Sequence, residues 1–74
     1  MQRYVVNASF DADAQVWYVE DTNVPGLSTE AETFEGLCRK IEVMVPELLE
    51  ANGAEKGRVE IFAHTIANLD RSAA

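Results

Sequence analysis

A few side chains in this sequence are of types that hold metal ions, and two of them stand close together. Asp11 and Asp13 form an Asp-x-Asp pair. Hard cations take about six oxygen ligands, and the chain offers no spaced set of carboxylates around this pair. Aspartates in turns commonly accept hydrogen bonds from their own backbone. We therefore interpret both residues as turn formers and predict no metal site, with a residual metal-dependent nuclease as a rival hypothesis.

Cys38 and His64 are the single cysteine and the single histidine, and together they would form a nucleophilic dyad. Cys38 falls on an apolar helical stripe, where a thiol packs as a small hydrophobic group, and His64 is expected on the other side of a sheet. A structural zinc site needs about four ligands. The serines lack a nucleophile elbow, and the glycines form no phosphate-binding loop. These features predict a protein that is not an enzyme and has no cofactor.

The charge balance argues against several classes of partner. The chain has 6 basic and 13 acidic side chains, a net charge of −7. Nucleic-acid binding calls for clustered Lys and Arg, but the basic residues are scattered, so we predict no direct contact with nucleic acid. No segment approaches the roughly 20 apolar residues of a membrane span, and the N-terminus does not resemble a signal peptide. A lone thiol suits a reducing compartment, so we expect a cytoplasmic protein.

The size of the chain favours self-association. Its 74 residues suffice for one domain, which we place at residues 1–70 with a frayed tail at 71–74. A domain of this length buries only roughly 60% of its unfolded surface, and one cysteine cannot form an internal disulfide. We therefore expect a dimer or a larger homo-oligomer.

Alternating apolar residues predict four strands. The segment 3–10 alternates with period two and reads as a half-buried strand. The β-branched and aromatic run 16–19 reads as its hairpin partner. We predict a short third strand at 27–31 and a fourth that opens at Gly57. Before the third strand, Pro25 and Gly26 predict a tight turn, because proline presets one φ and glycine permits a positive φ next to it.

Between the third and fourth strands the apolar period changes to three and four residues, which predicts a helix. The apolar stripe consists of Phe34, Leu37, Cys38, Ile41, Val45, Leu48 and Leu49. Thr33 is the favoured N-cap, ahead of a capping box formed by Thr29 and Glu32. Pro46 interrupts the pattern and predicts either a kink or a new short helix. Gly53 is a suitable residue to follow the helix.

The resulting order is β-β-β-α-β, an α+β fold. A right-handed crossover through the helix places the fourth strand beside the first and gives the sheet order 3-2-1-4, with the helix on one face. The opposite face is then partly apolar, which often marks an interaction site. Whether Trp17 or Tyr18 faces the helix stays open. The predicted partner-binding residues are Val5, Val16, Tyr18, Phe62, His64 and Ile66.

Three stretches of the chain resemble the HicB-like family. They are the tryptophan-containing strand at 17–19, the turn Val24-Pro25-Gly26-Leu27, and the helix entry from Thr29 to Leu37. The continuation at 41–49 is similar to a compact HicB-related family of uncharacterised proteins. The resemblance covers about residues 3–50 and, weakly, the last strand.

This resemblance implies a degraded ribonuclease-H-like fold without catalytic function. HicB proteins are antitoxins that bind HicA, a small basic ribonuclease, and mask its catalytic histidine. The implied function is a protein-binding module that neutralises a HicA-type mRNA interferase. The alternative is a homo-oligomeric structural or regulatory protein with another partner. HicB proteins also carry a DNA-binding domain that these residues do not match, so we expect no operator binding.

Overall fold

One helix lies across one face of a four-stranded sheet. The structure is a computed structural model and describes residues 2–65. Along the chain the elements are the strands β1 (Gln2–Asp11), β2 (Val16–Thr22) and β3 (Glu30–Ala31), the helix α1 (Phe34–Ala51) and the strand β4 (Gly57–His64). The predicted β-β-β-α-β order is confirmed. Ile66 and the predicted tail at 71–74 lie outside the described residues.

The strand order in the sheet is β3-β2-β1-β4, as predicted. β1 pairs antiparallel with β2 and parallel with β4, and β2 pairs antiparallel with β3. The pairing of β1 with β2 has an irregularity: Asn7 faces Asp21 while Ala8 faces Val19, so Glu20 is the extra residue of a β-bulge. The chain is therefore an α+β domain with a mixed sheet.

The third strand is shorter than the sequence predicts. The prediction of a strand at 27–31 was too long, because only Glu30 and Ala31 pair with β2. Leu27 instead turns into the core, where it is buried together with Val24. The loop that carries these two residues is held against β1: the hydroxyl of Thr22 donates to the carbonyl of Val5 at 2.7 Å and accepts from the amide of Val24 at 3.1 Å.

The helix begins where the sequence indicates. Thr33 has extended backbone angles, and its Oγ1 accepts from the amide of Gly36 at 2.9 Å, so it is the N-cap. The helix then continues without a break through Pro46 to Ala51, and the prediction of a new short helix at Pro46 was wrong. Proline removes the hydrogen bond to the residue four positions earlier. That residue, Glu42, is exposed like Pro46 itself, so water can satisfy the freed carbonyl.

Two glycines adopt the positive φ that the sequence suggests. Gly26 has φ +76° in the turn after Pro25, and the amide of Leu27 donates to the carbonyl of Val24 at 3.3 Å, which is the arrangement of a type II turn. Gly53 has φ +63° directly after the C-cap Asn52. Both glycines therefore adopt a backbone conformation that is unfavourable for residues with a Cβ atom.

The core lies between α1 and the sheet. Its nine buried hydrophobic residues are Tyr4, Val6, Ala8, Val24, Leu27, Leu37, Ile41, Val45 and Leu49. Trp17 packs against this core, with its ring centroid 5.5 Å from Phe10 and 5.4 Å from Phe34. Trp17 is thus the residue that faces the helix, and the neighbouring Tyr18 faces away from it. The hairpin register, which sets Phe10 opposite Trp17, decides the question that the sequence left open.

Candidate functional site

The face of the sheet opposite α1, which we call the back face, carries the predicted partner-binding residues that the structure describes. Val5, Val16 and Tyr18 are half-buried, whereas His64 is exposed and Phe62 is 45% exposed. Val5, Val16, Tyr18 and Phe62 alternate along their strands with residues that pack on the core, so they point away from the helix, and His64 lies two residues after Phe62 on the same face. Ile66 belongs to the residues that the structure does not describe.

These five residues do not form one apolar patch, because polar residues on neighbouring strands separate them. Tyr18 lies opposite Ser9, and on the other side of Ser9 lies His64. Phe62 lies opposite Asn7, Val5 opposite Glu60, and Val16 opposite Asp11. Across the strands, apolar side chains of the back face therefore lie beside polar ones, a composition closer to a wet protein interface than to a core.

Hydrogen bonds tie the polar residues of the back face together. Nε2 of His64 lies 2.9 Å from Oδ1 of Asn7, and the hydroxyl of Ser9 donates to Oε1 of Glu20 at 2.6 Å. Arg3 donates from Nε to Oε1 of Glu60. Each bond fixes a side chain that would otherwise be free to rotate, so less rotamer entropy is lost when a partner covers this surface.

Carboxylates are concentrated on the β2 and β3 side of the back face. Glu20 and Asp21 follow Tyr18 along β2, and Glu30 lies opposite Tyr18 on β3. Near Tyr18, a shallow depression is lined in part by Ser9, Glu20, Asp21 and His64. An aromatic side chain thus lies among acidic ones, an arrangement that suits a basic protein surface.

The residues that could do chemistry are held apart or engaged in structural roles. Oδ1 of Asp11 accepts from the amides of Asp13 and Ala14 at 3.0 and 3.2 Å, so Asp11 forms the turn between β1 and β2. Cys38 lies on α1 while His64 lies on the back face, and they form no dyad. Within residues 2–65 no group of three or more His, Cys, Asp or Glu is arranged to hold a metal ion.

The thiol of Cys38 is also poorly suited to nucleophilic attack. Partial burial raises its pKa, and the nearby carboxylates of Glu42 and Glu35 raise it further, because each disfavours a thiolate. The thiolate is the reactive form of cysteine. Cys38 is therefore a packing residue of the helix.

A second surface feature is an apolar groove between α1 and β4. Its apolar lining comes from Val45, Pro46 and Leu49 on the helix and from Val59 and Ile61 on the strand. Val59 and Ile61 pack against the core but remain half-buried. Both residues lie on the helix side of the sheet, and the groove leaves part of each side chain uncovered.

Sequence reasoning missed the polar members of the back face. The partner-binding residues predicted from the sequence include His64 but not Asn7, Ser9 or Glu20. The contact of Asn7 with His64 depends on the register of β1 with β4, and the hydrogen bond of Ser9 to Glu20 depends on the bulge at Glu20. The one available signal was the alternation of polar and apolar residues in β4, which predicted the face of His64 without its partner.

In the described part of the chain, no helix combines the length and the apolar character needed to cross a lipid bilayer. α1, with its 18 residues, is amphipathic: one stripe packs on the sheet, and charged residues occupy its other sides.

Comparison with known proteins places the chain in a family. No curated protein matches it. A solved structure, that of a hypothetical protein from the extremely thermophilic bacterium Thermus thermophilus, is 46% identical to it, with a TM-score of 0.73 over 92% of this chain and 97% of that one. The family model described as "Domain of unknown function (DUF1902)" matches residues 3–72. The chain therefore belongs to the DUF1902 family.

Proposed function

We propose that this chain is a non-catalytic, cytoplasmic protein-binding module that neutralises a HicA-type mRNA interferase, as a HicB-like antitoxin does. The observation that carries the proposal is the back face, where Tyr18 lies beside the carboxylates of Glu20, Asp21 and Glu30, and Phe62 lies two strands away on β4. Aromatic anchors surrounded by polar residues are typical of protein interfaces.

The charge of the chain supports a basic partner. Net charge −7 gives the whole molecule a negative field, and Glu20 and Asp21 bring part of it to the back face. Complementary charge speeds association and excludes like-charged competitors. A small basic ribonuclease has the charge that this surface would select.

The HicB resemblance supplies the identity of that partner. The residues that carry it, from Trp17 to Leu37, form β2, the turn at Gly26, β3 and the start of α1. Tyr18 and Glu30 are among the matching residues, while Glu20 and Asp21 lie between the first two matching stretches. The proposal therefore rests on a segment that both carries the resemblance and contributes to the surface.

Titration of the chain with a purified, basic HicA-type toxin tests the proposal. We expect a complex at micromolar concentration or below and relief of RNA cleavage by the toxin. Tyr18→Ala and Phe62→Ala should each weaken the complex about tenfold or more, because a buried aromatic anchor is commonly worth over about 1.4 kcal/mol. Val43→Ala is the matched control, since Val43 is 65% exposed on the outer side of α1. Absence of a complex, or equal loss with Val43→Ala, would exclude the proposal.

The alternative function is a homo-oligomeric structural or regulatory protein that neutralises no toxin. Within residues 2–65 no strand covers the outer side of β4, which favours this alternative, since a strand edge can pair with another chain. A self-associated protein that leaves toxin activity unchanged at saturating concentration would support this alternative.

A further inference from the structure

The two edges of the sheet differ greatly in how they are protected. β3, at one edge, pairs over two residues, Glu30 and Ala31. β4, at the other, pairs with β1 over eight residues, from Gly57 to His64. Within the described residues no strand lies on the outer side of β4. Soluble proteins usually shorten or disrupt an edge strand to prevent pairing with other chains, so the length of β4 requires an explanation.

β4 lacks the devices that normally block edge pairing. Its sequence, Gly-Arg-Val-Glu-Ile-Phe-Ala-His, contains no proline, and its register with β1 runs without a bulge. The charged side chains on it are Arg58 and Glu60, which carry opposite signs. Because these two charges lie on the same face of the edge, some registers of pairing with a second copy bring opposite charges together.

The groove beside β4 also leaves apolar surface to be covered. Val59 and Ile61 face the helix side of the sheet, yet both remain half-buried next to the groove. A strand added to β4 would place its own side chains beside these two residues and remove them from water. Burial of apolar area contributes roughly 25 cal/mol per Å², so this contact would add to the hydrogen bonds of the edge.

Charge selects one register for self-pairing. Two copies related by a two-fold axis pair antiparallel, with residues of the same face opposite each other. An axis at Glu60 sets Glu60 against Glu60, which is unfavourable. An axis at Val59 sets Arg58 against Glu60 of the second copy twice and brings Val59 against its counterpart. An axis at Ile61 forms no opposite-charge pair.

The positions of the charged groups agree with the axis at Val59. Arg58 is 72% exposed and forms a long ion pair of 3.7 Å with Oε2 of its own Glu60, so pairing with Glu60 of a second copy would replace only a weak, solvent-exposed contact. Glu60 is 29% exposed and already accepts from Arg3, which holds its carboxylate in place on the back face. A carboxylate that is already held in place loses less rotamer entropy on pairing than one that rotates freely.

We propose that a second copy of this chain docks on the outer edge of β4, pairing antiparallel about a two-fold axis at Val59 to form a continuous eight-stranded sheet. Arg58 and Glu60 form two symmetric ion pairs on the back face of that sheet, and Val59 and Ile61 become covered on the helix side. This inference does not depend on toxin binding, because it uses the edge of the sheet rather than the face that carries Tyr18.

Charge reversal tests the interface. Sedimentation velocity of the full chain should show a dimer, and Arg58→Glu or Glu60→Arg should each weaken it about tenfold or more, since two attractive cross-strand pairs become repulsive. The double variant Arg58→Glu with Glu60→Arg restores the opposite charges and should restore the dimer. Glu30→Arg, at the β3 edge, is the control and should leave the dimer unchanged. A monomer, or single variants that dimerise like the parent, would overturn the proposal.

Disulfide trapping tests the register. In a Cys38→Ala background, Val59→Cys should form a cross-linked dimer on mild oxidation, because the axis brings its two copies within the roughly 7 Å that a disulfide spans. Ile61→Cys should not, because its two copies would lie about 13 Å apart along the strands. Circular dichroism confirms that each variant is folded. Cross-linking through Ile61 in preference to Val59 would refute the register.

Discussion

Substitution of Gly26 by valine should destabilise the fold by about 3 kcal/mol, and the structure separates two causes. The first is backbone strain: Gly26 has φ +76°, a conformation that costs an L-residue about 1–2 kcal/mol. The second is crowding: a Cβ at this position would already lie 3.6 Å from Cδ2 of Leu48. The γ-methyl groups of valine extend past that atom, and overpacking typically costs about 1–3 kcal/mol.

Two further variants isolate these causes. Gly26→Ala should retain the strain without the crowding, because 3.6 Å is an ordinary van der Waals distance, and should cost about 1 kcal/mol after the reduced freedom of its unfolded chain is counted. Gly53→Val is the matched control, since Gly53 has φ +63° and no atom lies within 4 Å of its added Cβ. This variant should lose stability through backbone strain alone, without the crowding against Leu48.

Urea unfolding followed by the fluorescence of Trp17 provides the assay, because Trp17 is the single tryptophan and packs against the core. A loss of 1 kcal/mol lowers Tm by roughly 4–8 °C in a domain of this size, so the differences are measurable by heat as well. A Gly26→Val variant within about 0.5 kcal/mol of the parent would refute the turn. Equal losses for Gly26→Val and Gly53→Val would refute the contact with Leu48.

Other predictions follow from the helix and the core. Thr33→Ala removes the oxygen that accepts from Gly36 and should cost about 1 kcal/mol by urea unfolding; no change would contradict the N-cap. Leu37→Ala opens a cavity at a fully buried position and should cost about 2–5 kcal/mol; a loss under about 1 kcal/mol would show a core able to collapse. Cys38 should react with iodoacetamide more slowly at pH 8 than an unfolded cysteine, and Glu42→Gln should speed it, because removing that carboxylate lowers the pKa; unchanged rates would contradict this cause.

The sequence predicted the parts of this fold that local patterns determine. Thr33 caps the helix and Gly26 and Gly53 take positive φ, because each of these roles depends on a residue and its immediate neighbours. The sheet order followed from the handedness of the crossover, which is a property of all parallel connections. These predictions needed no knowledge of long-range contacts.

The remaining features depend on register and burial, which a single sequence does not reveal. The third strand is limited to Glu30–Ala31, shorter than predicted, because Leu27 is buried in the core instead of paired in the sheet. α1 continues through Pro46 because the lost hydrogen bond falls on its exposed side. The pairing of Asn7 with His64 joins residues on different strands and depends on the register of β1 with β4. β2, β3 and α1 separate β1 from β4 along the chain, so no hairpin turn sets that register.

Mapping the partner surface by NMR tests the central claim most directly. Amide signals of the isotope-labelled chain would be followed while the unlabelled basic toxin is added. The account predicts that the largest shifts fall in β1, β2 and β4, around Ser9, Tyr18 and Phe62, with the outer side of α1 at Val43 and Glu47 unchanged. Shifts confined to the outer side of α1, with Tyr18 and Phe62 unaffected at saturation, would contradict the claim that the back face binds the partner.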